Sequence, residues 1–597
     1  MTSRIRLLAA LLLVALALAP LGAPSHAEPA PAPAEPAAPA ARGKAVTVTP
    51  AQPMAGERTR FSGKVAGRAG TAVLERKKGK RWVAVARGKV RKGGKYRVAA
   101  PVKKAGTYRV RAGSFTSKKA KVRLAPQAAQ ISVTAPLVTG IARPVVATVT
   151  PARAGRTVRL QRLDGGTWTT VATATTDGAG QALIPYAAGP AGSTSYRILG
   201  ERHRKSATVA SAPQVVRTAP ATELLSRGTA AGDTSHDPSV SADGRWVAFT
   251  SQSRLLPSDT DDREDIYLFD RVTGALTHLL PDAGGLAINP RLSANGRFLA
   301  FQSTSASFAG EADGDHDVFV LDRVTGVVDL VSQTPDGEAA NRPSQLYAMS
   351  DDGRFVAFTS TASDLVGVLQ PPNTDVRHAY LHDRTTGTNR ALDRIGLGWA
   401  TANIYGLDVS ADGSRVAFSS GDDGLDPGHV DVVAVFGWDV AADGTISNRT
   451  NLTPDIRADQ PSLSGDGSVL AFTTVAALGP GDLNGARDTY LRTPAGTFVF
   501  AGPYGAAGNP GGEISADGRF VSLSTKNVLP GDTNGSTADV AVWERATGTT
   551  TLITRAGAGA SGDEGLSADG SVLVFGSAAP VVPGATGDYN VYVTALR

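Results

Sequence analysis

Ser241–Phe249 reads SADGRWVAF, and the chain returns to this phrase six more times. The later versions are SANGRFLAF from Ser293, SDDGRFVAF from Ser350, SADGSRVAF from Ser410, SGDGSVLAF from Ser464, SADGRFVSL from Ser515 and SADGSVLVF from Ser567. The period is therefore 51 to 60 residues. Each unit divides in the same way. A short strand ends at the serine (PSVS, Pro238–Ser241), and Asp-Gly supplies a tight turn. A second strand follows (RWVAFTS), then a loop of variable length, a third strand (DIYLFD, Asp265–Asp270), a Thr-Gly turn and a fourth strand (ALTHLL). Glycine suits such turns because it accepts the positive φ they require.

Four strands per unit at this period predict a β-propeller, since each sheet can bury its faces only against its neighbours. The seventh unit stops at NVYVTALR, Asn590–Arg597, without a fourth strand, and TELLS, Thr222–Ser226, resembles the strand that is missing. Pairing the two would close the ring and remove two open sheet edges. The expectation is a seven-bladed propeller over residues 218–597.

The repeats resemble the TolB-type family of WD-repeat-like propellers. The shared elements are the S-x-D-G turn, the aromatic strand after it, and IYLFDRVTG (Ile266–Gly274) with its echoes VFVLDRVTG (Val318–Gly326) and AYLHDRTTG (Ala379–Gly387). The resemblance implies the propeller fold. It spans uses from protein-binding scaffolds to domains attached to peptidases.

Upstream, two copies of another pattern occur. Leu74 to Trp82 and Leu160 to Trp168 keep one spacing, and Tyr108 and Tyr196 fall in matching later strands. Alternating apolar residues with punctuating glycines predict short antiparallel strands, and about 85–90 residues per copy fits a small β-sandwich. The copies resemble the immunoglobulin-like modules of secreted bacterial proteins. Ahead of them, Arg4 and Arg6 precede an apolar run from Leu7 to Ala19, and SHA at Ser25–Ala27 offers a cleavage site. That pattern predicts a secretory signal peptide over residues 1–27, and Glu28–Arg42 predicts an extended Pro/Ala-rich linker. The chain thus reads as all-β: two immunoglobulin-like β-sandwich domains at 43–125 and 126–217, then the propeller, with no transmembrane segment once the signal is removed.

There is no cysteine among the 597 residues, which excludes disulfides and thiolate metal sites. The net charge of +7 conceals a division. Residues 43–125 hold 24 Lys/Arg against two acids, whereas 218–597 hold 24 against 47. A basic module on an exported protein predicts an anionic cell-wall polymer or a membrane surface as partner rather than nucleic acid. Lysine-rich strands also block edge pairing, which is the plainer use of the same residues.

Three groups of residues bear on chemistry. The repeated serines lack a G-x-S-x-G nucleophile elbow, and SADGRW misses the S-x-D-x-G-x-T-W spacing of sialidase Asp-boxes, so Ser241 and Asp243 are expected to hydrogen-bond their own turn. The loop between second and third strands repeats acid, acid or amide, acid: Asp259, Asp261, Asp265; Glu311, Asp313, Asp317; Asp482, Asn484, Asp488; Asp532, Asn534, Asp539. Calcium takes six to eight hard oxygens, which makes it the candidate cofactor; solvated Asx-Gly turns are the competing expectation. Finally, the stretches joining successive blades should emerge on the same face as those loops. They put His236, Asp237, Asn289, Asn341, Arg342, Asn403, Asp459, Gln460, Asn509, Asp563 and Glu564 around a channel mouth. His378 and His382 share a strand face and are expected at the surface.

The resemblance implies that such a mouth binds a protein or peptide. The expectation is a secreted, non-enzymatic binding or scaffold protein. Its alternative is an extracellular hydrolase or lyase acting on a glycan or peptide at the same mouth. Titratable groups converging around His236, Asp237 and Asp459 would favour the enzyme.

Overall fold

The computed structural model describes residues 45–596 apart from 66–69, 134–135, 228–233, 282–283, 310–313, 368–374, 396–397, 427–431, 480–481, 534, 536, 555–560, 584 and 586–587, and apart from the side chains at 395, 423 and 563. The expected signal peptide and linker lie outside the described residues. Among the described residues helix is confined to Ala306–Ala309 and the turn Asp423–Leu425, and no helix is long and apolar enough to cross a membrane.

The repeat region forms seven four-stranded antiparallel sheets with propeller-like succession. In the first, Ser235–Val240, Trp246–Ser251, Asp265–Asp270 and Ala275–Leu279 pair in that order. The last sheet draws on both ends of the region: Thr222–Leu224 pairs with Asn590–Ala595, beside Val572–Ser577 and Ser561–Leu566. Second and third strands are buried on both faces, as between stacked sheets. Leu299, Phe301 and Phe319 pack on Ala248, Ile266 and Leu268 of the preceding sheet. Phe249 and Tyr267 meet Val572, Val574, Val591 and Val593, which joins the first sheet to the last.

The recurrent phrase is turn chemistry in every copy. Ser241 Oγ donates to Asp243 Oδ1 at 2.7 Å and accepts from Trp246 N at 2.9 Å, while Arg245 N donates to Asp243 Oδ1 at 3.0 Å. The same trio recurs at Ser293, Ser350, Ser410, Ser464, Ser515 and Ser567. The phrase is also locked to the DRVTG turn. Arg245, Arg297 and Arg354 form ion pairs with Asp270, Asp322 and Asp383. Burial opposes ionisation of Asp322 and Asp383, but the arginines together with hydrogen bonds from the turn that follows outweigh it and hold both carboxyls at about 2. The arginine after each of those aspartates reaches back: Arg323 stacks 4.1 Å from Trp246, and Arg384 4.5 Å from Phe298, each on the sheet before its own.

Upstream lie two β modules built alike. In the first, Thr47–Thr49, Arg58–Lys64 and Lys95–Pro101 pair side by side, while Gly70–Lys78 lies between Arg81–Val90 and Gly106–Ala112. A single Val90–Tyr96 pairing joins the two sets. In the second, Ala142–Thr150 lies between Ala128–Ser132 and Gln181–Ala187, and Thr157–Asp164 between Thr167–Thr175 and Gly192–Gly200. Both carry a bulge at one position, Leu74/Glu75 and Leu160/Gln161. Both also stack an arginine on the matching tryptophan, Arg109 on Trp82 at 4.1 Å and Arg197 on Trp168 at 4.3 Å. Glu57 binds Arg153 across the two modules, and Arg143 donates to Ser571 of the propeller at 3.1 Å.

Candidate functional site

The first strands of the seven sheets surround a cavity of about 450 Å³ on the central axis. One end is a ring at the position after each motif serine, alanine or glycine in six copies and Asp351 in the third, and backbone hydrogen bonds run around it. Ala242 N donates to Ala294 O (3.0 Å), Ala294 N to Asp351 O (2.9 Å), Asp351 N to Ala411 O (2.8 Å) and Asp412 N to Gly465 O (2.9 Å). Gly465 N then donates to Ala516 O (2.8 Å), Asp517 N to Ala568 O (3.2 Å) and Ala568 N back to Ala242 O (3.3 Å). The alanine of SADG is small for a reason: a Cβ on Gly465 would stand 2.9 Å from that of Ala516.

Two residues before six of the seven motif serines, side chains line the lumen: Ser239, Arg291, Ala348, Asp408, Ser462 and Glu513, with Gly565 at the seventh. Several also bind the next sheet. Asp408 Oδ2 accepts from Leu463 N at 2.6 Å, Ser239 Oγ from Leu292 N at 3.0 Å, Ser462 Oγ from Ile514 N at 3.1 Å and Glu513 Oε2 from Leu566 N at 3.3 Å. Burial pushes Asp408 up to about 7, with the Glu513 charge adding to the effect. Glu513 is raised by burial against the pull of Arg291. Its side chain is open to the lumen while protein walls surround it. Asp351, in the ring after the motif serines, is raised to about 6 by burial and by Asp352 and Asp412. The channel therefore carries three carboxyl groups against Arg291.

At the other end the first strands bulge, with register shifts at His236/Ser239, Ile288/Arg291, Asp459/Ser462, Gly511/Ile514 and Gly562/Gly565. Asp237, Asn289 and Gln460 occupy the bulges at φ of 50°, 53° and 49°. This end adjoins the loops between second and third strands, as Ser344 N to His316 O (2.7 Å) and Ala287 N to Glu264 O (2.9 Å) demonstrate. His236 is clamped, Nδ1 to Asp237 and Nε2 to Glu264, both at 3.0 Å, and these bonds raise it to about 10. It is an imidazolium held by two carboxylates. Asp459 belongs to a separate group, paired with Arg487 and Thr473, and Thr473 also reaches Gln460.

The other expected mouth residues divide by burial. Asn341 and Asn403 are exposed, the first bound to Ser363 and the second accepting from Arg377 N; Arg342 is exposed as well. Asn289 bridges sheets, donating to Gln302 Oε1 at 2.8 Å and Leu346 O at 2.9 Å. Asn509 is fully buried and holds Asp488 instead of meeting a ligand. Glu564 lies beside Gly512, and the Asp563 side chain is outside the described residues. His378 and His382 are buried, contrary to the surface position expected from their sparse polar setting. They bond Asp393 and Asn389, each at 2.8 Å, because third strands are covered on both faces.

Of the acidic loops, Asp259, Asp261 and Asp265 converge, with ligand atoms within 4.8 Å of one another. Asp482 and Asp488 are buried, and Asn484 caps its loop by accepting from Ala486 N at 2.7 Å. Asp317 and Asp539 are buried and accept from Ser332 (2.7 Å) and Thr554 (2.6 Å). Asp532 is half-buried, and Glu311, Asp313 and Asn534 lie outside the described residues.

Sequence reasoning missed the lumen set of Arg291, Asp351, Asp408 and Glu513. The signal for them was partial: Arg291, Asp408 and Glu513 each stand two places before a motif serine, but four other repeats carry Ser239, Ala348, Ser462 and Gly565 there, and Asp351 follows its serine.

No family model matches this chain, and no curated protein matches it. Among solved structures, the crystal structure of the tricorn protease matches 85% of this chain and 46% of that chain at 11% identity and a TM-score of 0.25. The chain thus spans about half of the tricorn protease chain. A structure of the Dos1 propeller matches 62% of this chain and 95% of that one at 12% identity and a TM-score of 0.32. A nidogen/laminin complex matches 54% and 92% at 11% and 0.28.

Proposed function

We propose that this chain is a secreted, non-enzymatic binding protein of TolB-like architecture. Its seven-bladed propeller receives a cationic segment of a protein or peptide in the axial channel. Two immunoglobulin-like modules tether it to the cell envelope through anionic polymer or lipid. The observation that carries the reading is the lumen, where Asp351, Asp408 and Glu513 face a single Arg291. A lysine or arginine side chain, or an amino terminus, would supply the counter-charge to these walled-in carboxyls. The mouth supports binding over catalysis. His236 is fully engaged by Asp237 and Glu264, and Asp459 is engaged by Arg487, so the three do not form one convergent group.

The experiment is fluorescence anisotropy on the full chain with labelled lysine-containing peptides and glutamate counterparts. Binding should favour the cationic peptides and fall at least tenfold in Asp408→Asn/Glu513→Gln. Equal affinity for both peptide sets, or no loss in the double variant, rejects the channel as the site. For the tether, co-sedimentation with isolated cell walls should disappear at about 0.5 M salt, where the Debye length shrinks to about 4 Å.

A further inference from the structure

Away from the channel, one acidic loop contains buried carboxylate oxygens that the protein leaves without a hydrogen bond, and a second brings three carboxylates together. In the fifth repeat, Asp482 Oδ2 accepts from Tyr490 OH at 2.6 Å, and Asp488 Oδ1 accepts from Asn509 N and Nδ2, both at 2.8 Å. The remaining oxygens, Asp482 Oδ1 and Asp488 Oδ2, are buried without a hydrogen-bond partner, on residues only 4% and 0% exposed. Leaving a buried carboxylate oxygen unpaired is costly, and two neighbouring ones compound the cost.

The first repeat is built on the same plan. Tyr267 OH donates to Asp259 Oδ2 at 2.6 Å, as Tyr490 does to Asp482, and Asp259, Asp261 and Asp265 converge within 4.8 Å. His278 Nε2 forms a long ion pair with Asp265 Oδ2 at 3.5 Å. Repeats two and six differ, because Ser332 and Thr554 donate hydroxyls to Asp317 and Asp539. The residues at that offset in repeats one and five are Leu280 and Pro503, whose side chains carry no donor.

We propose that the loops of repeats one and five each hold a divalent cation of calcium's class, on Asp259, Asp261 and Asp265 in one and on Asp482 and Asp488 in the other. Hard carboxylate oxygens in an irregular loop suit calcium, which tolerates variable geometry, better than magnesium, which demands an octahedron.

The test is calorimetric titration of the chelator-treated full chain with calcium chloride, and separately with magnesium chloride. Two calcium ions should bind per chain, with a rise in Tm. Asp261→Asn and Asp482→Asn should each remove one equivalent. Asp261 is exposed, so its variant keeps the fold, and it decides the first site even if Asp482→Asn misfolds. Absence of binding at about 1 mM calcium overturns the proposal. So does binding that persists when both aspartates are replaced, or magnesium binding of equal strength.

Discussion

The two ends of the same seven strands follow opposite rules. At the motif end every copy forms the same trio of serine, Asp or Asn, and backbone, and a ring of backbone hydrogen bonds closes around it. At the bulged end each strand differs: an imidazolium between carboxylates at His236, a sheet-bridging amide at Asn289, an exposed Tyr405, an ion pair at Asp459. A ring tight enough for backbone contact tolerates only one solution, so it repeats. Side chains at the bulged end vary without breaking that ring. Uniformity marks the part that closes the fold, and divergence marks the part free to recognise something.

The sharpest way to break this comparison is to damage the motif end. Gly413 sits at φ +69°, and an added Cβ would stand 2.7 Å from the Phe355 ring. Gly413→Ala should cost about 3 kcal/mol in urea unfolding through strain and overpacking together. A loss below about 0.5 kcal/mol would show that the ring is slack. Ser515→Ala, which strips a hydroxyl from Phe520 N and Asp517, should cost about 1–2 kcal/mol.

Acidity probes the lumen against both ends. Folding raises Asp408 to about 7 and Asp351 to about 6 from an ordinary 3.8, so the folded chain holds protons that the unfolded chain has released. Stability from these groups therefore falls as pH climbs from about 4 to about 7. The His236 imidazolium, raised to about 10 from 6.5, contributes fully below about 6.5, and its contribution is lost as pH climbs to about 10. Tm should decline from pH 5 to pH 10, and Asp408→Asn should flatten only the portion below pH 7. An unchanged slope in that variant places the titration elsewhere. The smallest effect belongs to the bulged end. Gln460→Gly, at φ +49°, should stabilise by about 0.5 kcal/mol or less, since glycine accepts that backbone without strain.

Much of the propeller was legible because its signals are local. Asp-Gly turns, aromatic second strands and DRVTG echoes each need only a few neighbouring residues, and their period places every strand. The acidic loops were legible for the same reason: Asp259, Asp261 and Asp265 are close in sequence and remain close in space. The mouth was less so. Asn509 carries the polar signature of a surface residue yet is fully buried, because its amide satisfies Asp488 inside the loop. His378 and His382 share a strand face as expected, but coverage by adjoining sheets turned that face inward.

By itself the sequence determined the strands, their turns, the repeat that orders them and the charge contrast between front modules and propeller, since each depends on nearest neighbours or composition. Only the tertiary structure decided which polar groups meet. Asp408 and Glu513 lie two repeats apart and share a lumen because closure of the sheets brings every first strand to one axis. Whether a carboxyl there is buried, raised or partnered depends on residues contributed by other repeats, and no local pattern encodes that convergence.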